Sequence, residues 1–147
     1  YTPATTLFYG LREALDMLFE EGLENVFARH AKLAKATRLA AQSWGLEILC
    51  KNESEFSNTL TAIMVPDNFD ADELRKIILE EYNMSLGTGL GKVKGKVFRI
   101  GHLGDLNELT LMGTLAGVEM GLTLAKIPHQ SGGVTRAMSF LTEASSL

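Results

Sequence analysis

From Thr5 to Glu21 the apolar side chains return at helical spacing: Leu7, Leu11, Leu15 and Leu18, with Phe8 and Met17 beside them. Gly22 ends or bends that helix. A second helical pattern runs from Leu23 to Trp44 through Val26, Phe27, His30, Leu33, Thr37 and Ala41, and Gly45 stops it. Its outer face carries Arg29, Lys32, Lys35 and Arg38, read as a solvated basic face. The period then shortens to two. "LEILC" (Leu46 to Cys50) and "NTLTAIMV" (Asn58 to Val65) predict strands joined by the polar turn "KNESE", and Pro66 ends the second. "DADELRKIILEEY" predicts a third helix with Asp70 as N-cap and Glu73 three residues on, in the manner of a capping box.

After "MSLGTGLG" and a turn, Val97, Phe98 and Ile100 define a further strand; a long helix follows over Asn107 to Ala125. The tail beyond Pro128 contains a short helix from Thr135. Consecutive strands with a short connection predict an α+β domain, an antiparallel or mixed sheet with helices on one face. Within the last long helix Gly113, Gly117 and Gly121 recur every four residues. Such a smooth stripe lets a helix lie close against the sheet or a neighbouring helix.

Composition narrows the functions open to this fold. At 147 residues, with 46% hydrophobic and 22% charged residues, the chain can build one ordinary core. A net charge of -4 leaves no basic excess for nucleic-acid backbones. One cysteine, Cys50, excludes an internal disulfide and suits a reducing compartment. "LTLMGTLAGVEMGLTLAKI" is long enough to suggest a membrane span, but Glu119 near its middle and the lack of flanking aromatics argue against one. The chain opens at Tyr1 without methionine or signal-like run and enters a helical pattern directly, which reads as part of something longer.

Chemistry is sparse. "GTGLGKVKGK" looks like a phosphate cradle, yet a strand follows it where a phosphate loop needs a helix. It is either a flexible connection with lysines in water or a mobile loop over an active site. His30, His102, His129 and Cys50 show no metal-ligand spacing, and His30 on the apolar stripe reads as a satisfied interfacial histidine. His102 lies three residues after Arg99, so alternation puts the two on opposite faces unless Gly101 bends the chain. No nucleophile elbow or Cys/His pair is present. Arg99 is the exception: a guanidinium inside an apolar strand must meet an anion or reach water. Its planar fork matches a carboxylate on a rigid mount. A structural ion pair within the fold is the competing explanation.

"YTPATTLFYGLREALDMLFEEGLENVFARHAKLAKATRLAAQSWGLEIL" and "GKVFRIGHLGDLNELTLMGTLAGVEMGL" resemble the C-terminal part of serine–glyoxylate aminotransferases, class V pyridoxal-phosphate enzymes related to alanine–glyoxylate aminotransferase. The likeness runs densely from Tyr1 to about Leu122 and less clearly beyond. It implies the small C-terminal α+β domain of a type I aminotransferase from residue 22 to 147, with residues 1–21 ending the large domain. It implies amino transfer from serine (or alanine) to glyoxylate, giving glycine and hydroxypyruvate (or pyruvate), in a cytoplasmic homodimer. By the same likeness Arg99 binds the substrate carboxylate and Thr2 the phosphate of pyridoxal 5'-phosphate across the dimer, with Tyr1 close by and no contact assigned to it. The Schiff-base lysine falls upstream of this segment, and none of the eight lysines has its context, so the segment alone should not transaminate. It carries no catalytic residue and no metal site on this reading. Beside it stands a non-catalytic α+β module that binds a small carboxylate through Arg99. The preferred amino donor is not legible, and the terminal "SSL" is a poor peroxisomal address.

Overall fold

The computed structural model describes residues 2–143. Five α-helices and three strands follow in the order α1 (Thr5–Glu21), α2 (Leu23–Ser43), β1 (Leu60–Met64), α3 (Ala71–Tyr82), β2 (Gly87–Thr88), β3 (Val97–Gly101), α4 (Glu108–Leu124) and α5 (Gly133–Glu143). The strands form one antiparallel sheet in the order β1-β3-β2. Register pairs Ala62 with Arg99 and Ile63 with Phe98 across β1 and β3, and Gly87 with Arg99 across β2 and β3.

Alternation gives the sheet two unlike faces. Thr61, Ile63, Phe98 and Ile100 are buried on one, beneath α2 and α3. Leu60, Ala62, Met64 and Arg99, on the other, remain half-buried. Helix α4 packs on α3 and α2, and α5 on α2 and α4. Leu33, Trp44, Leu74, Leu115 and Leu122 close the core with no exposed surface. Each such side chain contributes about 1.5–3 kcal/mol of burial.

Local chemistry sets the helix ends. Asp70 Oδ1 accepts from the Asp72 amide at 2.8 Å at the start of α3, so the N-cap stands where the sequence puts it. Asn107 Oδ1 does the same for Thr110 at 2.9 Å ahead of α4. The glycine stripe serves a helix: a Cβ at Gly121 would lie 2.3 Å from Ile78 Cγ1, and one at Gly117 would lie 2.7 Å from Met84 Cε. A Cβ at Gly113 would meet open space.

Two predicted elements differ. Leu46–Cys50 is not a strand: only Ile48 bridges β1, at Ile63, flanked by bonds from the Leu49 amide to Ala62 and from the Met64 amide to Glu47. A turn over Glu53–Glu55, capped by Asn52, takes the chain away before pairing can extend. The glycine-rich run is not simply a flexible connection either, since Gly87–Thr88 pairs with β3 and a tight turn follows at Gly91–Val93. A Cβ at Gly89 would fall 2.1 Å from the Val93 carbonyl oxygen, so only glycine fits that turn. Lys92, Lys94 and Lys96 do face water.

Helix α1 buries none of its residues. Leu7 (75% exposed), Phe8 (61%) and Phe19 (65%) lie open, as an apolar helix without its cover would. Among the described residues no helix is long and apolar enough to cross a membrane.

Candidate functional site

Arg99 occupies the centre of the central strand, between two small residues on the neighbouring strands, Ala62 on one side and Gly87 on the other. The half-buried arginine makes no ion pair: the pairs among the described residues join Arg12 to Asp16, Arg29 to Glu21, Lys32 to Glu108, Lys51 to Glu47 and Arg75 to Asp72. The structural ion pair weighed against an anion site is therefore absent among the described residues. Arg99 Nε is sealed from solvent with no hydrogen-bond partner. A buried donor left unmade costs about 1–3 kcal/mol, and more when charged. Its two terminal nitrogens are likewise unbonded within the described chain, but solvent reaches them.

The mount beneath the arginine is stiff. Asp72 Oδ1 accepts from Thr88 Oγ1 and from Arg75 Nη1, each at 2.8 Å, while Arg75 Nε donates to the Leu86 carbonyl at 2.8 Å. These bonds fasten β2 to α3. The Thr88 hydroxyl, with help from Arg75, holds the Asp72 carboxyl below the usual carboxylate range against the opposing effect of burial.

The other candidates resolve into structural roles. His102 sits on the core face, opposite Arg99 as alternation requires; its Nε2 meets Thr61 Oγ1 at 2.8 Å and its Nδ1 the Asn58 carbonyl at 3.2 Å. Burial pushes its pKa down to about 4, so it is neutral at ordinary pH. His30 Nδ1 donates to the Val26 carbonyl at 2.7 Å while Nε2 accepts from the Gly104 amide at 3.0 Å, the satisfied interfacial histidine that the sequence predicts. No group of three metal-ligating side chains occurs among the described residues. Thr2 is exposed ahead of α1, on a segment separate from the sheet that carries Arg99; Tyr1 and the terminal Ser145–Leu147 lie outside the described residues. An apolar cleft of about 240 Å³ between Arg38, Cys50 and Phe56 lies at the outer edge of β1 and does not include Arg99.

The sequence offers Gly87 only as the start of a glycine run at the edge of a possible active site, and Ala62 not at all. Their relation to Arg99 exists only once the strand register is known.

A small antiparallel sheet with helices on one face is an architecture shared with aminotransferases of solved structure. Pyridoxamine–pyruvate aminotransferase from Mesorhizobium loti superposes with a TM-score of 0.91 and 32% identity, covering 98% of this chain and 37% of that one. Ureidoglycine–glyoxylate aminotransferase from Bacillus subtilis gives 0.89 and 27%, covering 97% and 37%. No family model matches the chain.

Sequence comparison is more specific. Serine–glyoxylate aminotransferase of Arabidopsis thaliana is 56% identical over 142 residues, 96% of this chain and 35% of the relative. The enzyme of the same name from Methylorubrum extorquens is 53% identical over 144 residues, covering 97% and 36%. The chain belongs to this class V aminotransferase family and corresponds to a C-terminal part of its members. It spans about a third of the length of the curated relatives it matches. Alignments of this extent run past Leu122, so the similarity includes the tail that the sequence reading left less certain.

Proposed function

We propose that this chain supplies the substrate-carboxylate clamp of a pyridoxal-phosphate aminotransferase that moves an amino group from serine to glyoxylate. The observation that supports it most directly is the state of Arg99: half-buried, unpaired, and flanked by Ala62 and Gly87 so that nothing from its own sheet competes for the guanidinium. A group desolvated without a counter-ion is stabilised when a small acid docks, which ties substrate affinity to that one side chain.

In this reading residues 1–21 end the large domain and residues 22–147 form the small one. Support comes from α1, whose uncovered apolar face suits a helix that belongs against a larger body. The exposed Thr2 hydroxyl fits a donor to the cofactor phosphate. None of the eight lysines stands in the family's Schiff-base context, so in this reading that lysine falls upstream of the segment. Pyridoxal phosphate, when bound, supplies the electron sink for amino transfer. This chain's part is to bind and orient: Arg99 fixes the substrate carboxylate and thereby aims the α-carbon. A homodimer in the cytoplasm completes the proposal, with the Thr2 contact made across the dimer.

The test is steady-state kinetics on the full-length enzyme carrying Arg99→Lys and Arg99→Ala. Both should lower kcat/KM for serine and for glyoxylate by at least about a hundredfold, because the carboxylate loses a two-pronged partner. Kinetics equal to the parent enzyme would remove Arg99 from the site.

A further inference from the structure

We infer that Gly87 is a positioning residue for the carboxylate-binding arginine: by carrying no side chain where β2 faces Arg99, it keeps the guanidinium's Nε edge down on the strand and presents the two terminal nitrogens end-on to the acid. The inference rests on the proposed reading of Arg99 and says how that side chain is aimed.

Four observations converge on it. Gly87 is the direct partner of Arg99 across the β2–β3 ladder. A Cβ built on Gly87 would lie 3.0 Å from Arg99 Cβ and 3.1 Å from Arg99 Nε, so the arginine stem runs over the glycine and both its root and its far end would have to shift. Arg99 Nε is sealed and unbonded, which closes the side-on approach through Nε and one terminal nitrogen. Finally, β2 has no room to retreat, because Thr88 is bonded to Asp72 and the Leu86 carbonyl to Arg75.

The usual alternative, a glycine needed for its backbone, does not apply. Gly87 is not among the positive-φ glycines, which are Gly22, Gly45, Gly91, Gly95, Gly104 and Gly132. An L-residue could adopt its conformation. What the position lacks is space, and the group that fills that space is Arg99. An added methyl would therefore be absorbed by the arginine, moving its fork by a few tenths of an ångström or turning it off the strand. The ligand class follows from the end-on presentation: a small acid whose two carboxylate oxygens meet the paired terminal nitrogens.

The experiment uses the full-length enzyme with Gly87→Ala, Arg99→Ala and the double substitution. Serine and glyoxylate kinetics are measured beside NMR titration with acetate as a non-reacting carboxylate. Gly87→Ala should raise the KM for both acids and weaken acetate binding about tenfold, with a smaller effect on kcat. In the Arg99→Ala background, which keeps the Cβ contact and loses the one at Nε, the same glycine change should alter kcat/KM several-fold less than in the parent, since no guanidinium remains to displace. If Gly87→Ala matches the parent, or its loss persists undiminished in the Arg99→Ala background, the positioning role is overturned. If Gly87→Ala does not fold but the double variant does, the clash is with the guanidinium end of Arg99 and the inference stands; if neither folds, the Cβ contact that alanine retains is the obstacle and the inference falls. An Arg99→Ala enzyme that binds acetate and turns over normally would overturn the clamp itself, a separate failure.

Discussion

Trp44 donates its indole N–H to Glu119 Oε2 at 2.8 Å, joining the end of α2 to the apolar helix α4. The same carboxylate accepts from the Gly132 amide at 2.9 Å and the Val134 amide at 3.0 Å, at the start of α5. A charge that looks misplaced in "LTLMGTLAGVEMGLTLAKI" is the anion on which a neighbouring helix begins. Burial pushes the Glu119 pKa up, but the bonds from Gly132, Trp44 and Val134 outweigh it, and the group titrates below the ordinary range. Glu119→Ala should cost about 2–4 kcal/mol, since three donors lose a charged acceptor, and Glu119→Gln less. Urea unfolding of the full-length variants checks this. Because the folded pKa is depressed, the contribution is present above the unfolded value and fades as pH falls through the folded one.

The glycine stripe yields a graded series. Gly121→Ala should destabilise by about 1–3 kcal/mol or more, because the methyl meets the Ile78 branch within the α3–α4 contact. Gly117→Ala should cost less, as the obstacle is the flexible end of Met84. Gly113→Ala should be neutral or stabilising by up to about 1 kcal/mol, since nothing crowds it and alanine favours the helix. Thermal melts that failed to follow this order would contradict the close approach.

His102 predicts an acid sensitivity. Its folded pKa of about 4 lies below the ordinary 6.5, so the unfolded chain takes up a proton that the folded one refuses across that interval. Stability should be full above 6.5 and drop as the medium is acidified towards 4. The loss reaches about 2 kcal/mol by pH 5. Melting temperatures of the parent and of His102→Gln, compared at pH 7 and pH 5, should show a larger drop in the parent. Equal drops would mean that His102 is not the group refusing the proton.

The uncovered face of α1 should betray itself whenever this chain is produced without a covering body. Leu7, Phe8, Leu11 and Phe19 are each more than half exposed. The segment alone should bind the dye ANS and self-associate, and Leu7→Glu with Leu11→Glu should reduce both. Sedimentation velocity provides the second readout; an unaltered association state in the double variant would assign the stickiness elsewhere.

Helices were legible because their apolar positions repeat, and because Asp70 announces the start of α3. The sheet was legible in part. β1 and β3 are rich in apolar residues, but β2 is glycine and threonine, held by the open side of β3 and by α3 rather than by any pattern of its own. "LEILC" looked like a strand since its composition suits one, yet strand pairing needs a run of partners and only Ile48 has one. Arg99 stood out as a charge among apolar neighbours. That it lacks an acidic partner, and that Gly87 clears its path, are facts of register and distance on which residue order is silent.

Arg29 grips Glu21 through Nε at 2.6 Å and Nη2 at 2.7 Å, while its Nη1 donates to the carbonyls of Gly104 and Leu106 at 2.8 and 3.1 Å. One rivet thus passes through the last turn of α1 and the segment that leaves β3, beside a Gly22 pivot with φ of 84°. Torque applied to α1 must either shear that rivet or be delivered to the strand end a few residues from Arg99, long before it is felt in the oily interior.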